Sequence, residues 1–240
     1  MASTRLPGKV LMEVIGKPLL YYQLERIKKI SQIKQIIIAT TVNKEDDPIA
    51  ELCEKDSILY FRGSEDDVLE RYYLSASQFQ ADPIIRLTAD CPLLDPDILK
   101  KLIHTYKNGN YDYVHTGLTY AEGLDCEIFS FRVLEVAYKK ARLKSEREHV
   151  LLYLHNNKSD FNIFSMENST DESKYRLTVD EPEDYEVVKI LIENLYNKKR
   201  FDSKIIKEFL DDHPEVFKIN SNIIRNEGLL ISLKEDEINK

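Results

Sequence analysis

No apolar run in this 240-residue chain approaches the roughly 20 residues that a membrane helix needs. The N-terminus, Met1-Ala2-Ser3-Thr4-Arg5, carries no apolar signal core. Both absences lead to the expectation of a soluble, cytoplasmic protein with no membrane partner. A basic excess is lacking too. The formal net charge is -8, from 34 Lys and Arg against 42 Asp and Glu. That argues against a nucleic-acid partner, since a phosphate backbone calls for a basic footprint. A local basic site for one small polyphosphate remains compatible with it. Cysteine is scarce: Cys53, Cys91 and Cys126 are odd in number, and no two stand at the spacing of a zinc knuckle or a redox pair. They read as reduced thiols. Cys91 is the one candidate nucleophile, because it adjoins a motif described below. Internal repeats and low-complexity stretches are absent as well. What is present is 42% hydrophobic and 32% charged residues, enough for a real core and a solvated surface. The length suits one α/β domain with an elaborated edge or a small appendage.

Along the chain, apolar β-branched runs alternate with helical spacing. Strands are expected at 35–40, 58–61 and 83–88, and helices at 21–27, 45–55, 66–79 and 96–106. Such alternation implies a mostly parallel sheet with helices on both faces. Beyond Tyr111 the texture changes. Strands are expected at 111–116, 126–131, 161–166 and 175–179, and helices at 133–142, 147–156 and 183–196. A short helix capped by Ser203 follows a charged break at 197–200. Residues 1–200 read as the catalytic domain and 201–240 as an accessory segment.

Three motifs carry chemistry. Ser3-Thr4-Arg5-Leu6-Pro7-Gly8-Lys9 puts hydroxyls, a glycine and two cations in one loop, which suits a polyphosphate. Its spacing is not that of a Walker A loop. Asp90, in Thr88-Ala89-Asp90-Cys91-Pro92, falls just past the end of a predicted parallel strand, where ligands of open α/β sheets bind. A carboxylate there can hold a magnesium ion that bridges phosphates; a turn or cap role is the alternative. Asp95, before Pro96, reads as a helix cap. Asp180, in Thr178-Val179-Asp180-Glu181-Pro182, ends another predicted strand and is the second candidate metal ligand. Glu181, Glu183 and Asp184 crowd a helix N-terminus, where acids are favourable in any case.

Taken in order, these stretches resemble the cytidylyltransferases that make CMP-activated sugar acids, above all the SpsF-like branch, with CMP-Kdo and CMP-sialic acid synthetases as relatives. The resemblance rests on the motifs above and on Gly16-Lys17-Pro18-Leu19-Leu20, Phe61-Arg62-Gly63-Ser64-Glu65-Asp66-Asp67, Gly123-Leu124-Asp125-Cys126-Glu127 and Arg147-Glu148-His149-Val150. It spans about residues 1 to 196. It implies a Rossmann-like nucleotide-diphospho-sugar transferase fold, a magnesium cofactor and a homodimer. CMP would pass from CTP to a 2-keto sugar acid with release of pyrophosphate, in surface or spore-coat polysaccharide synthesis. Arg5 and Lys9 would hold the triphosphate with Asp90 at the catalytic centre, helped by Ser3, Thr4 and Gly8. Gly63, Ser64 and Arg71 would approach the nucleoside, and Asp90 and Asp180 would bind the metal. Asp125, Glu127, Arg147 and His149 would line the sugar side or shape a dimer contact, with His149 expected to be structural rather than a base.

Members of that family begin with an apolar strand ending in Ala-Arg, directly before a Met-x-Ser-Thr-Arg segment. Here Met1 stands at that methionine. The usual first strand is therefore expected to be missing, through truncation or a misassigned start, leaving unpaired backbone groups on its neighbours. Three alternatives stay open: another base specificity on the same fold, a glycosyltransferase, and a catalytically impaired nucleotide-binding protein. Pro92, two positions after Asp90, disfavours the Asp-x-Asp pair that a glycosyltransferase often carries.

Overall fold

Ile15 and Gly16 both have positive φ, 50° and 68°. This is the geometry of a tight two-residue hairpin loop, and it joins β1 (Glu13–Val14) to β2 (Lys17–Pro18). Pro18, extended at ψ 152°, then launches α1 (Leu19–Ile27), which buries Leu19, Leu20, Tyr22, Leu24 and Ile27 on one side. In this computed structural model residues 5–198 and 200–238 are described.

The alternation anticipated from the sequence follows. Strand β3 (Ile37–Thr41) leads through α2 (Asp47–Lys55) to β4 (Leu59–Gly63), and α3 (Val68–Gln78) leads on to β5 (Ile84–Arg86). Strands β3 and β4 pair in parallel from Ile37↔Leu59 to Thr41↔Gly63. Helix α4 (Pro96–Asn108) starts where expected. Asp95 caps it by accepting the Asp97 N–H at 2.8 Å, and it also accepts the Ser203 N–H at 2.8 Å. After β6 (Tyr113–Thr116) and β7 (Glu127–Phe129) come α5 (Phe131–Lys140), α6 (Lys144–Glu148), α7 (Leu152–Asn156) and β8 (Ile163–Met166). The described residues continue through α8 (Pro182–Leu195), α9 (Ser203–Asp212), α10 (Pro214–Asn220) and α11 (Glu227–Ile238).

The larger sheet runs β5-β7-β6-β8. β7 is antiparallel to both its neighbours, while β6 and β8 are parallel, so the sheet is mixed. Among the described residues β3 pairs only with β4 and β5 only with β7, so the two sheets are not joined and each of these strands keeps an open edge.

Several expectations are corrected. The helix expected over 147–156 is two short helices, because Val150 adopts φ 48° and breaks the hydrogen-bond run. The segment 175–179 is extended but not laddered; it touches 122 through one parallel bridge, Glu122↔Arg176. Asp202, not Ser203, caps α9, its carboxylate accepting the Ile205 N–H at 3.0 Å. Asp has the same capping chemistry as Ser and lies one residue earlier.

Three apolar clusters flank the sheets. One packs Leu19 and Tyr22 of α1 against Leu177, Val179 and the buried face of α8, and α9 and α10 add Ile206, Leu210 and Val216 to it. The second lies between α3, α5 and β7, around Leu69, Phe129 and Val133. The third joins α4 to β6 and β7.

Gly123 is the tight point between the 120–125 loop and the 175–179 segment. Its φ is 93°, and a Cβ there would lie 2.4 Å from the Thr178 nitrogen and 2.5 Å from the Leu177 carbonyl carbon. Both neighbours are backbone. Leu177 N–H also donates to the Glu122 carbonyl at 2.7 Å. Gly123→Ala should therefore push the two segments apart and cost at least about 1–3 kcal/mol, as overpacking does, with left-handed strain added. Denaturant unfolding measures it; an unchanged midpoint would refute the close approach.

Candidate active site

Three separate segments bring charge to one point. Lys9 follows Gly8, which has φ 72° and opens a single 3₁₀ turn, Lys9–Leu11. Asp90 lies in the loop after β5, and Asp180 lies two residues before α8. The Lys9 ammonium sits 2.6 Å from Asp180 Oδ1 and 3.5 Å from Asp90 Oδ2. The two acidic loops are tied directly, since Val179 N–H donates to the Asp90 carbonyl at 2.8 Å. Arg5 completes the cluster. Its NH2 lies 3.5 Å from Asp180, and its NH1 lies 3.0 Å from Glu181 and 3.0 Å from Glu227. The structure thus brings Arg5, Lys9, Asp90 and Asp180 together. Ser3 and Thr4 lie outside the described residues.

Burial by itself would raise the Asp180 carboxyl. The charge and hydrogen bond of Lys9, then Arg5 and Arg176, outweigh it and hold the group below the ordinary carboxylate range. Asp180 is therefore ionised at neutral pH. Arg176 had no place among the sequence candidates, yet it is the buried anchor of the site. Its side chain is 6% exposed and contacts Glu122, Asp180 at 3.2 Å and Asp184 at 2.8 Å. Asp184 also accepts the N–H groups of Asp180 and Glu181, both at 3.0 Å. This cap fixes where Asp180 points. No local pattern marks Arg176; only the fold brings Glu122 from 54 residues away.

Of the residues expected near a nucleoside, Gly63 ends β4. Its missing side chain leaves room for Arg71, because a Cβ would lie 3.0 Å from Arg71 Cγ. Arg71 donates to the Ser64 carbonyl, and the Ser64 hydroxyl accepts the Asp67 N–H at 3.0 Å. The turn and the arginine form one unit.

The four residues expected on a sugar side or at a dimer contact divide. Asp125 accepts the Gly123 N–H at 2.8 Å and pairs with Arg225 at 3.2 Å. Glu127 pairs with Arg86, its neighbour across β5 and β7, at 3.2 Å. Arg147 is taken up by Asp67, with its Nε at 2.8 Å, and by the Tyr138 carbonyl; it ties α6 to the N-terminus of α3. His149 Nε2 lies 3.0 Å from the Ser232 hydroxyl, and burial lowers its pKa, so it is a neutral, anchored imidazole. Cys91 is buried, and that burial, with Asp90 beside it, raises its pKa well above the usual thiol value. A thiol held in its neutral form is a poor nucleophile, which removes the candidate nucleophile.

Comparison with known proteins identifies the family. The sequence model of the family described as Cytidylyltransferase matches residues 1–218. The chain is 30% identical over 222 residues to the spore coat polysaccharide biosynthesis protein SpsF of Bacillus subtilis, covering 90% of this chain and 92% of that one. It is 32% identical over 109 residues to the 3-deoxy-manno-octulosonate cytidylyltransferase of Geobacter metallireducens, covering 42% of this chain and 39% of that protein. Among solved structures, a cytidylyltransferase from Leptospira borgpetersenii superposes with a TM-score of 0.84 at 36% identity, covering 90% of this chain and 92% of its own.

Proposed function

Because the chain belongs to the cytidylyltransferase family, we propose that it transfers the cytidylyl group of CTP to a 2-keto sugar acid and releases pyrophosphate. The observation that carries this reading is the Lys9 ammonium seated between the carboxylates of Asp90 and Asp180, with Arg5 beside them. One oxygen of the acceptor hydroxyl forms a bond to the α-phosphorus. The bond from that phosphorus to the pyrophosphate oxygen breaks, and the hydroxyl proton is lost to solvent. Such a step asks for in-line positioning and charge neutralisation rather than a covalent group. Arg5 and Lys9 supply two cations for the phosphate chain. Arg71, laid against Gly63 and donating to the Ser64 carbonyl, would approach the nucleoside.

The donor set suits magnesium. Asp90 and Asp180 are hard oxygen donors that already share one cation, the Lys9 ammonium. Among the described residues no group of three or more His, Cys, Asp or Glu could enclose a metal. Two carboxylates, with phosphates and water completing the shell, is the usual way magnesium is held. When bound, magnesium would neutralise phosphate charge there. The acceptor reading rests on the relatives named for polysaccharide biosynthesis and for 3-deoxy-manno-octulosonate. No helix among the described residues is long and apolar enough to cross a membrane.

A melting-temperature panel of CTP, UTP, GTP, ATP and TTP, each with magnesium, tests the nucleotide. A native-state ligand at 100 times its Kd stabilises by about 2.7 kcal/mol, so CTP alone should raise the midpoint by several degrees. An equal rise with all five would remove the cytidine preference. Pyrophosphate release on adding 3-deoxy-manno-octulosonate then tests the acceptor class.

A further inference from the structure

The last helix, α11, is built the wrong way round for a core helix. Its buried residues are polar, Ser232 and Asp236, while Leu230, Ile231, Leu233 and Ile238 are exposed. Among the described residues, none of the three apolar clusters includes a residue of α11. Polar contacts hold it instead, and they run to the candidate site. Glu227 pairs with Arg5 at 3.0 Å. The turn before the helix places Arg225 on Asp125 and on the carbonyls of Leu118 and Tyr120, and gives the Asn226 N–H to Glu122 at 3.1 Å. Farther along, Ser232 meets His149 and Glu148, Asp236 accepts the Ser145 N–H at 3.3 Å, and Glu235 pairs with Lys144.

The Arg5–Glu227 pair stands out. Arg5 lies within 3.5 Å of three carboxylates, those of Asp180, Glu181 and Glu227. Asp180 and Glu181 belong to the α8 capping turn and are fixed by Asp184. Glu227 is different, because it comes with a helix that has no apolar anchorage. A polyphosphate arriving at Arg5 and Lys9 would meet that carboxylate and repel it. Of the three acids, the one carried by α11 would give way, and α11, tethered by polar groups that water can replace, would go with it.

Resting on the nucleotidyltransferase reading above, we propose that Glu227 is a placeholder for polyphosphate at Arg5, and that α11 is a lid which a nucleoside triphosphate dislodges to open the acceptor side around Asp125 and His149.

Hydrogen exchange of the full chain with CTP and magnesium, with cytidine, and with inorganic tripolyphosphate tests this directly, alongside the affinity of Glu227→Gln for the same ligands. Amides of 227–238 should exchange about tenfold faster or more with CTP and with tripolyphosphate, as for a local opening, but not with cytidine. Glu227→Gln should bind both polyphosphates about 1.5- to 5-fold more tightly, the fold-change worth of one exposed ion pair. If tripolyphosphate acts while CTP does not bind, the nucleotide reading fails and the lid stands. If CTP binds with no change in exchange over 227–238 and no gain in affinity for Glu227→Gln, the lid is wrong and the enzyme reading survives. If neither polyphosphate binds, both fall.

Discussion

Asp180→Asn should lower kcat by about a thousandfold, roughly 4 kcal/mol of lost transition-state stabilisation, and leave the protein folded. Asparagine keeps the shape of the side chain but removes the charge that Lys9 contacts at 2.6 Å and Arg176 at 3.2 Å. Asp90→Asn should behave alike. Pyrophosphate release against magnesium concentration is the measurement, because a lost metal ligand also shifts the magnesium dependence upward. The control is close at hand. Asp95 lies five residues from Asp90, yet its carboxylate serves two backbone N–H groups, those of Asp97 and Ser203. Asp95→Ala should cost about 1 kcal/mol of stability, as a lost cap does, with kcat intact. Should Asp95→Ala abolish turnover while Asp180→Asn retains it, the site would have been placed on the wrong acids.

The same substitution has a pH signature. Asp180 has its folded-state pKa below the unfolded value, so its contribution is present at neutral pH and disappears as pH falls through the folded pKa. The wild-type protein should therefore lose this part of its stability below the ordinary aspartate range, near pH 3.8. Asp180→Asn should lack that part of the acid transition.

Much of this site was legible because its charges sit at element ends. Asp90 and Asp180 follow apolar runs and precede Pro92 and Pro182, so local patterns place both at element ends, Asp90 in the loop after β5 and Asp180 just before α8. Arg5 and Lys9 share a loop with Gly8. What the patterns could not convey is partnership. Arg147 lies in a motif expected to line the sugar side or shape a dimer contact, and the motif gives no sign that its guanidinium is engaged by Asp67, 80 residues earlier in the chain. Val150 breaks a helix by taking φ 48°, which a β-branched residue gives no reason to expect. The segment 175–179 alternates like a strand, yet its hydrogen bonds go to Glu122 and Asp90 rather than to a ladder. Arg176 and Glu227 look like ordinary surface charges in sequence, and only the return of distant loops turns one into an anchor and the other into a site contact.

Arg176 carries the largest stability effect expected in the molecule. Three carboxylates, Glu122, Asp180 and Asp184, converge on one guanidinium; Glu122 and Asp184 are themselves buried. Burial would lower the pKa of the arginine, but its bonds to Asp184 and Glu122 raise it above the ordinary value, so the charge is permanent. Arg176→Met keeps the length and removes the charge, and it leaves the buried acids without their cation. Breaking such a pair from one side costs about 3–5 kcal/mol, which in a chain of this size lowers the melting temperature by roughly 6–20 °C. Arg176→Lys keeps a cation but loses the fork that reaches three partners, so it should fall between the two. The deficit should depend on pH in a definite direction. Burial raises the Glu122 carboxyl even with Asn226 and Arg176 opposing it. A carboxyl raised in the folded state favours folding at low pH and loses that advantage as pH rises through its folded pKa. Without Arg176 the rise is larger, so Arg176→Met should be most destabilised near pH 7 and should approach the wild type as pH falls toward 4.5. A deficit that stays constant between pH 7 and 4.5 would mean that lost packing, not the uncompensated acids, sets the cost.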